Sequence, residues 1–91
     1  MSGSITVTIS LFGALRPYGN GKAVVLEATE GATIAEIKNR LRIALKNARP
    51  DFDREALVDE SALADETQVL AEDAILTADA RLAILPPVCG G

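Results

Sequence analysis

From Ser4 to Leu11 apolar and polar residues alternate, with Ile5, Val7, Ile9 and Leu11 on one face and Thr6, Thr8 and Ser10 on the other. This period of two, rich in β-branched side chains, predicts a half-buried strand. Residues 13–21 (GALRPYGNG) carry three glycines, a proline and an asparagine, and predict a loop. Residues 23–27 then read as a second short strand, the hairpin partner of the first.

The period changes after that. Thr33 and Glu36 have the spacing of a capping box, in which the hydroxyl accepts an amide of the first helical turn and the carboxylate bonds back. Ile34, Ile37, Leu41 and Leu45 follow at steps of three, four and four, the stripe of an amphipathic helix. Lys38, Arg42 and Lys46 are expected on its exposed side, and Pro50 marks its stop. Residues 51–60 are acidic and predict a short helical turn anchored by Phe52, Leu57 and Val58. Residues 61–65 and 68–70 read as two short strands joined by a polar turn. Residues 81–85 read as the last strand, and their apolar character predicts a central position buried on both faces. The resulting order implies an α+β fold, a mixed sheet packed on one main helix. That helix supplies the crossover needed for parallel pairing of the first and last strands.

A chain of 91 residues has room for one hydrophobic core. That core must be aliphatic, because Phe12, Tyr18 and Phe52 are the only rings. The absence of histidine removes Ser-His-Asp and Cys-His nucleophile pairs and imidazole zinc ligands. The single cysteine, Cys89, excludes an internal disulfide or a cysteine-based zinc site and suits a reducing cytoplasm, so no metal is expected. No apolar run reaches the ~20 residues of a membrane span, and Met1–Ser4 lacks the basic and apolar regions of an export signal. A cytoplasmic protein without membrane contact is expected. A net charge of −4 with few aromatics argues against nucleic acid as a partner. Residues 1–50 carry a net +4 and residues 51–91 a net −8, which reads as two solvated faces, the acidic one able to steer toward a basic partner. Gly13, Gly19 and Gly21 do not have the spacing of a phosphate loop, so ATP is expected on a partner.

The sequence closes on Leu85-Pro86-Pro87-Val88-Cys89-Gly90-Gly91. Two prolines cannot donate ladder hydrogen bonds and favour an extended backbone, so the sheet should release the chain near residue 86. Six residues at ~3.3–3.6 Å each reach roughly 20 Å, enough to enter another protein's active site. Gly90 and Gly91 have no side chains to obstruct a narrow channel. The division expected is a domain over 1–85 and an extended tail over 86–91.

Two blocks resemble a known family, the MoaD/ThiS-type β-grasp sulfur carriers, and within it the small subunits of molybdopterin synthase. The first is residues 5–19 (ITVTISLFGALRPYG), with Phe12, Leu15 and Arg16 as a Phe-x-x-Leu-Arg segment. The second is residues 82–91 (LAILPPVCGG). The resemblance implies a ubiquitin-like β-grasp with a flexible Gly-Gly tail. It implies a carrier that is no enzyme on its own and binds no cofactor directly. An ATP-dependent activating enzyme would adenylate Gly91, a persulfide donor would supply sulfur, and the large synthase subunit would use the resulting thiocarboxylate to build the dithiolene of molybdopterin. Gly90 would be the required small neighbour of Gly91, and Pro86, Pro87, Val88 and Cys89 would line the inserted tail. Arg16 reads as an exposed loop arginine without a specific task or as a contact to the activating enzyme. Phe12 reads as core from its own character and as a partner contact from the resemblance. An apolar patch on the exposed sheet face is expected to share the interface with the tail.

Two positions depart from the family pattern. Residues 77–80 lack the usual glycine of the turn before the last strand, and Asp79 is expected to take the left-handed conformation there. Cys89 stands where a Ser, Thr or Ala is more usual; it reads as a small channel-lining side chain or as a thiol able to form an acyl disulfide with the thiocarboxylate. The alternatives are a thiamine-type carrier, a lysine-conjugating modifier and a plain β-grasp interaction module. The first typically lacks Pro-Pro-Val, and the second tends to have a basic tail, whereas no base follows Arg81 here.

Overall fold

The alternation at the start of the chain folds as strand β1 (Ser4–Leu11), whose four apolar residues are all buried. The computed structural model describes residues 3–19, 22–53 and 55–86. β2 (Val24–Thr29) pairs antiparallel with β1, Thr8 opposite Val25. Gly31, at φ 90°, turns the chain into the two-residue strand β3 (Ala32–Thr33). Helix α1 (Ile34–Ala48) follows, then the short helix α2 (Glu55–Glu60). Strands β4 (Ala62–Ala64), β5 (Val69–Leu70), β6 (Ile75–Leu76) and β7 (Ala80–Leu85) complete the chain.

The main sheet has the order β2-β1-β7-β4-β5, and β1 and β7 are its parallel pair. α1 lies in the crossover between them and covers one face. Its stripe of Ile34, Ile37, Leu41 and Leu45 is buried against Val7, Ile9, Leu26, Leu82 and Ile84 in one core cluster. Each such side chain, fully withdrawn from water, contributes roughly 1.5–3 kcal/mol. Phe52 and Val58 are fully buried beside them, as the acidic segment's anchors should be. Thr33 caps α1, its hydroxyl accepting the Glu36 amide at 3.2 Å. The Glu36 carboxylate lies 3.7 Å from Arg40 Nε, one turn along, so the box is used from one side.

Several expectations are corrected. Lys38 is buried rather than solvated: its ammonium donates to the Asp59 carbonyl and to Glu72 Oε1, each at 2.8 Å. Arg42 pairs with Asp59, and Lys46 donates to the Phe52 carbonyl at 2.9 Å. The basic side of α1 therefore fastens the acidic segment and the β5–β6 connection to the helix. Long basic side chains can lay an apolar stem on the core and carry the charge to an acceptor, which periodicity alone does not register. β7 is central, as expected, yet only Leu82 and Ile84 are buried; Arg81 and Leu85 are exposed on its other side. Among the described residues no second layer covers that side, so they close only one face of the strand. Residues 13–19 form a 3-10 helix rather than an irregular loop, because Leu15 is drawn wholly into the core and its amide bonds the Phe12 carbonyl at 3.2 Å. The small β3–β6 sheet was not expected. Two residues are too few to show an alternation.

Candidate functional site

The parallel register of β1 and β7 sets Leu11 beside Ile84, so both strands end at the same edge of the sheet. The two sequence blocks that carry the family resemblance meet there. Gly13 has φ 59°, and a Cβ on it would stand 3.4 Å from Pro86 Cγ. Pro86, half-buried, thus rests against bare backbone where the last strand lets go. The positive φ and the close proline ring together explain a glycine at position 13.

The 3-10 turn divides the Phe-x-x-Leu-Arg segment. Leu15 points inward, while Phe12, 46% exposed, and Arg16 stay outside. The expectation that Phe12 is core is therefore wrong. It follows the last inward residue of β1, and Gly13 turns the chain before Phe12 can be covered. With Ser10, Leu11, Lys22 and Ala23, Phe12 and Arg16 line a shallow groove beside the tail's exit. Tyr18 braces the turn from behind, edge-on to Phe52 with ring centroids 4.8 Å apart, and the Arg49 guanidinium lies 5.6 Å from the Tyr18 ring centre. Pro87, Val88, Cys89, Gly90 and Gly91 lie outside the described residues. Of the predicted site residues, the structure places Phe12, Arg16 and Pro86, and it brings them to one edge.

The open face of the sheet leads up to this edge. Its first row is Val25, Thr8 and Arg81, its second Ser10, Ala83, Ala64 and Val69, and its third Leu85 beside Ala62. Val25, Val69 and Leu85 are 64%, 60% and 40% exposed. Apart from Arg81 and from Glu27, which stands opposite Thr6, the rest of these rows is small or hydroxylated, a surface that another protein can cover closely. At its far end Asp79 Oδ1 accepts the Thr6 amide at 2.8 Å, extending the parallel pairing by one bond through a side chain. The carboxylate in the turn that lacks glycine thus has a structural task. Lys22, Arg81 and the exposed valines were not singled out from sequence, although the alternation in β1 already assigned Thr6, Thr8 and Ser10 to an outer face.

A mixed five-stranded sheet with the crossover helix on one face defines a ubiquitin-like β-grasp protein. Solved structures share it: SAMP1 from Haloferax volcanii superposes with a TM-score of 0.67 at 24% identity, over 94% of this chain and 99% of that one. Caldiarchaeum subterraneum ubiquitin gives 0.62 at 17% identity, over 98% and 100%. A putative molybdopterin converting factor, subunit 1, from Pyrococcus furiosus gives 0.61 at 19% identity, over 92% and 99%. These likenesses establish the fold. The chain belongs to the ThiS family, whose model matches residues 9–91. It is thus a small ThiS-family protein with a ubiquitin-like β-grasp fold. No curated protein sequence matches it. Among the described residues no helix is long and apolar enough to cross a membrane.

Proposed function

We propose that the chain is the sulfur-carrying small subunit of a molybdopterin synthase. The observation that carries this reading is the junction of Phe12, Gly13 and Pro86, where the parallel strands end together and the Leu-Pro-Pro-Val-Cys-Gly-Gly segment begins. A tail leaving from the centre of the sheet, beside an uncovered face, lets one partner grip the face while the terminus enters its active site. Gly91 would be adenylated by an activating enzyme that binds ATP, and a persulfide donor would then supply sulfur to form the thiocarboxylate. The large synthase subunit would draw on it for the dithiolene. Pro87, Val88 and Cys89 would line the channel with Gly90, and Phe12 and Arg16 would meet the partner at its mouth. Because the adenylation consumes ATP, the carrier would work in the cytoplasm. The second reading is a lysine-conjugating modifier, favoured by the likeness to SAMP1 and to an archaeal ubiquitin.

Intact mass before and after incubation with the activating enzyme, ATP and a sulfur donor tests the first reading. The expected result is a rise matching exchange of one oxygen for sulfur at Gly91, followed by its loss on adding the large subunit and pyranopterin precursor. Attachment of the chain to lysines of other proteins, with no sulfur passed to the precursor, would establish the second reading instead. Deleting Gly90 and Gly91 should abolish activity while weakening, without eliminating, binding to the large subunit.

A further inference from the structure

We propose that Arg81 selects the partner, by requiring a carboxylate at the centre of the surface that covers the open sheet face. This rests on the reading of that face as the carrier's docking surface. Arg81 stands opposite Thr8 on β1, with Val25 beyond it on β2, so it projects from the middle of the sheet rather than from its rim. Thr6, Thr8, Ser10, Ala83 and Ala64 are uncharged outward positions around it; Glu27, opposite Thr6 on β2, is the acid on the same face, and it makes no ion pair with Arg81.

Arg81 makes no ion pair among the described residues, whereas Lys38, Arg40, Arg42 and Arg49 each have a carboxylate partner. One candidate is already committed. Asp65 borders the same shallow depression as Arg81, but its Oδ1 accepts the Thr67 amide, the Thr67 hydroxyl and the Gln68 amide at 2.8, 3.0 and 2.9 Å. Glu66 and Asp79 also border the depressions around Arg81; Asp79 holds the Thr6 amide, and Glu66 makes no ion pair with Arg81.

A partner that covered this face with apolar groups alone would strip water from an unpaired guanidinium. Such a charge is strongly unfavourable when buried without a counter-charge, so the face discriminates against a wholly apolar partner. A carboxylate set opposite can take two parallel N–H donations from the fork, and the Thr8 hydroxyl beside it supplies a further polar neighbour. The fitting surface is therefore one of small apolar residues around a single acid.

The test uses the full chain with the activating enzyme and, separately, the large synthase subunit of the same organism. KM for the carrier in sulfur loading, read by intact mass, and Kd for the large subunit are measured for Arg81→Met, Arg81→Glu and Arg40→Glu. Arg40 lies on the helical side, so its reversal controls for the change in net charge, with only its exposed pair to Glu36 lost besides. Melting curves confirm that each variant is folded. The expected result with at least one partner is a loss of ~30-fold or more for Arg81→Glu, the low end for breaking a buried charge pair, with a smaller loss for Arg81→Met and little change for Arg40→Glu. Maximal loading rate at saturating carrier should be unchanged. Restoration of Arg81→Glu by reversing one acid of that partner would identify the carboxylate. Binding by Arg81→Met as tight as wild type or tighter, with both partners, would overturn the proposal. So would equal losses for Arg81→Glu and Arg40→Glu. Loading of the wild-type chain is read in the same assay, so failure of the carrier reading shows there and not in the variants.

Discussion

The two faces of the five-stranded sheet are built from the same strands and do opposite things. The helix-covered face holds Ile5, Val7, Ile9, Leu26, Leu63, Leu82 and Ile84, all nearly or wholly inaccessible, under the stripe of α1. Charges at its margin are paired: Lys38 bridges the Asp59 carbonyl and Glu72, and no described buried side-chain nitrogen or oxygen lacks a partner. The open face repeats small and hydroxylated residues, leaves Val25, Val69 and Leu85 in water, and carries Arg81 and Glu27, neither in an ion pair among the described residues. One face contributes folding free energy within the molecule. The other leaves apolar area and a charge without intramolecular partners, which is where binding free energy can be drawn from. The difference teaches that the core need not lie on both sides of a central strand.

The contrast can be broken most forcefully from the closed side. Leu41→Ala should cost about 2–5 kcal/mol of stability, because it empties a fully buried position under the sheet; chemical denaturation measures it. Next comes the buried ammonium. Lys38→Ala should lose about 1–3 kcal/mol, since it removes the stem and leaves the Asp59 carbonyl without its donor, while Lys38→Met should lose less by keeping the stem. Comparing the two in thermal unfolding separates packing from charge. A neutral Lys38→Ala would show that the clasp between α1 and the acidic segment is ornamental.

Smaller effects sharpen the comparison at the edge. Gly13→Ala forces a side chain into a left-handed backbone and into contact with Pro86, for a loss of about 1–2 kcal/mol in thermal unfolding. On the open face, Val25→Thr should leave stability within about 0.5 kcal/mol while weakening partner binding. A drop in stability comparable to Leu41→Ala would mean that this face is not open in the free protein.

Asp65 gives the pH-dependent case. The amides of Thr67 and Gln68, then the Thr67 hydroxyl, hold its carboxyl below its ordinary value of 3.8. A depressed carboxylate contributes stability in full above its ordinary value and loses it as pH falls through the lowered one. Asp65→Ala should therefore be less stable than wild type at neutral pH, with the gap closing as acid protonates the wild-type carboxyl; thermal melts across that range check it. Asp65→Asn, whose carbonyl can still accept in the turn, should lie between the two.

β1 and the helix were legible because each has a period that a side chain's environment enforces, while β2, the β4–β5 hairpin and the last strand were read as short apolar runs between turns. The stripe of Ile34, Ile37, Leu41 and Leu45 could only be helical, and the Thr33 cap marked where it starts. What was not legible involved partners remote in the chain. Lys38 reads as a solvent-facing base until Asp59 and Glu72 come to meet it from 21 and 34 residues away. Phe12 reads as core until Gly13 turns the backbone beside Pro86 and leaves the ring half-exposed. Of the candidate site, the Phe-x-x-Leu-Arg segment could be read directly, whereas Arg81 gained meaning only when the strand register set it on the open face without an ion pair among the described residues.

By itself, the sequence determined which segments alternate, which segment coils and which residues repel water, since these depend on neighbours a few positions apart. It also determined the Pro-Pro and Gly-Gly chemistry of the last six residues, a property of bond rotation and missing side chains. The tertiary structure alone decided that β7 is closed on one side, that the bases of α1 clasp acids instead of water, and that residues 13 and 86 meet. Those outcomes depend on a parallel register across a helical crossover, in which contacts form between groups that no local period relates.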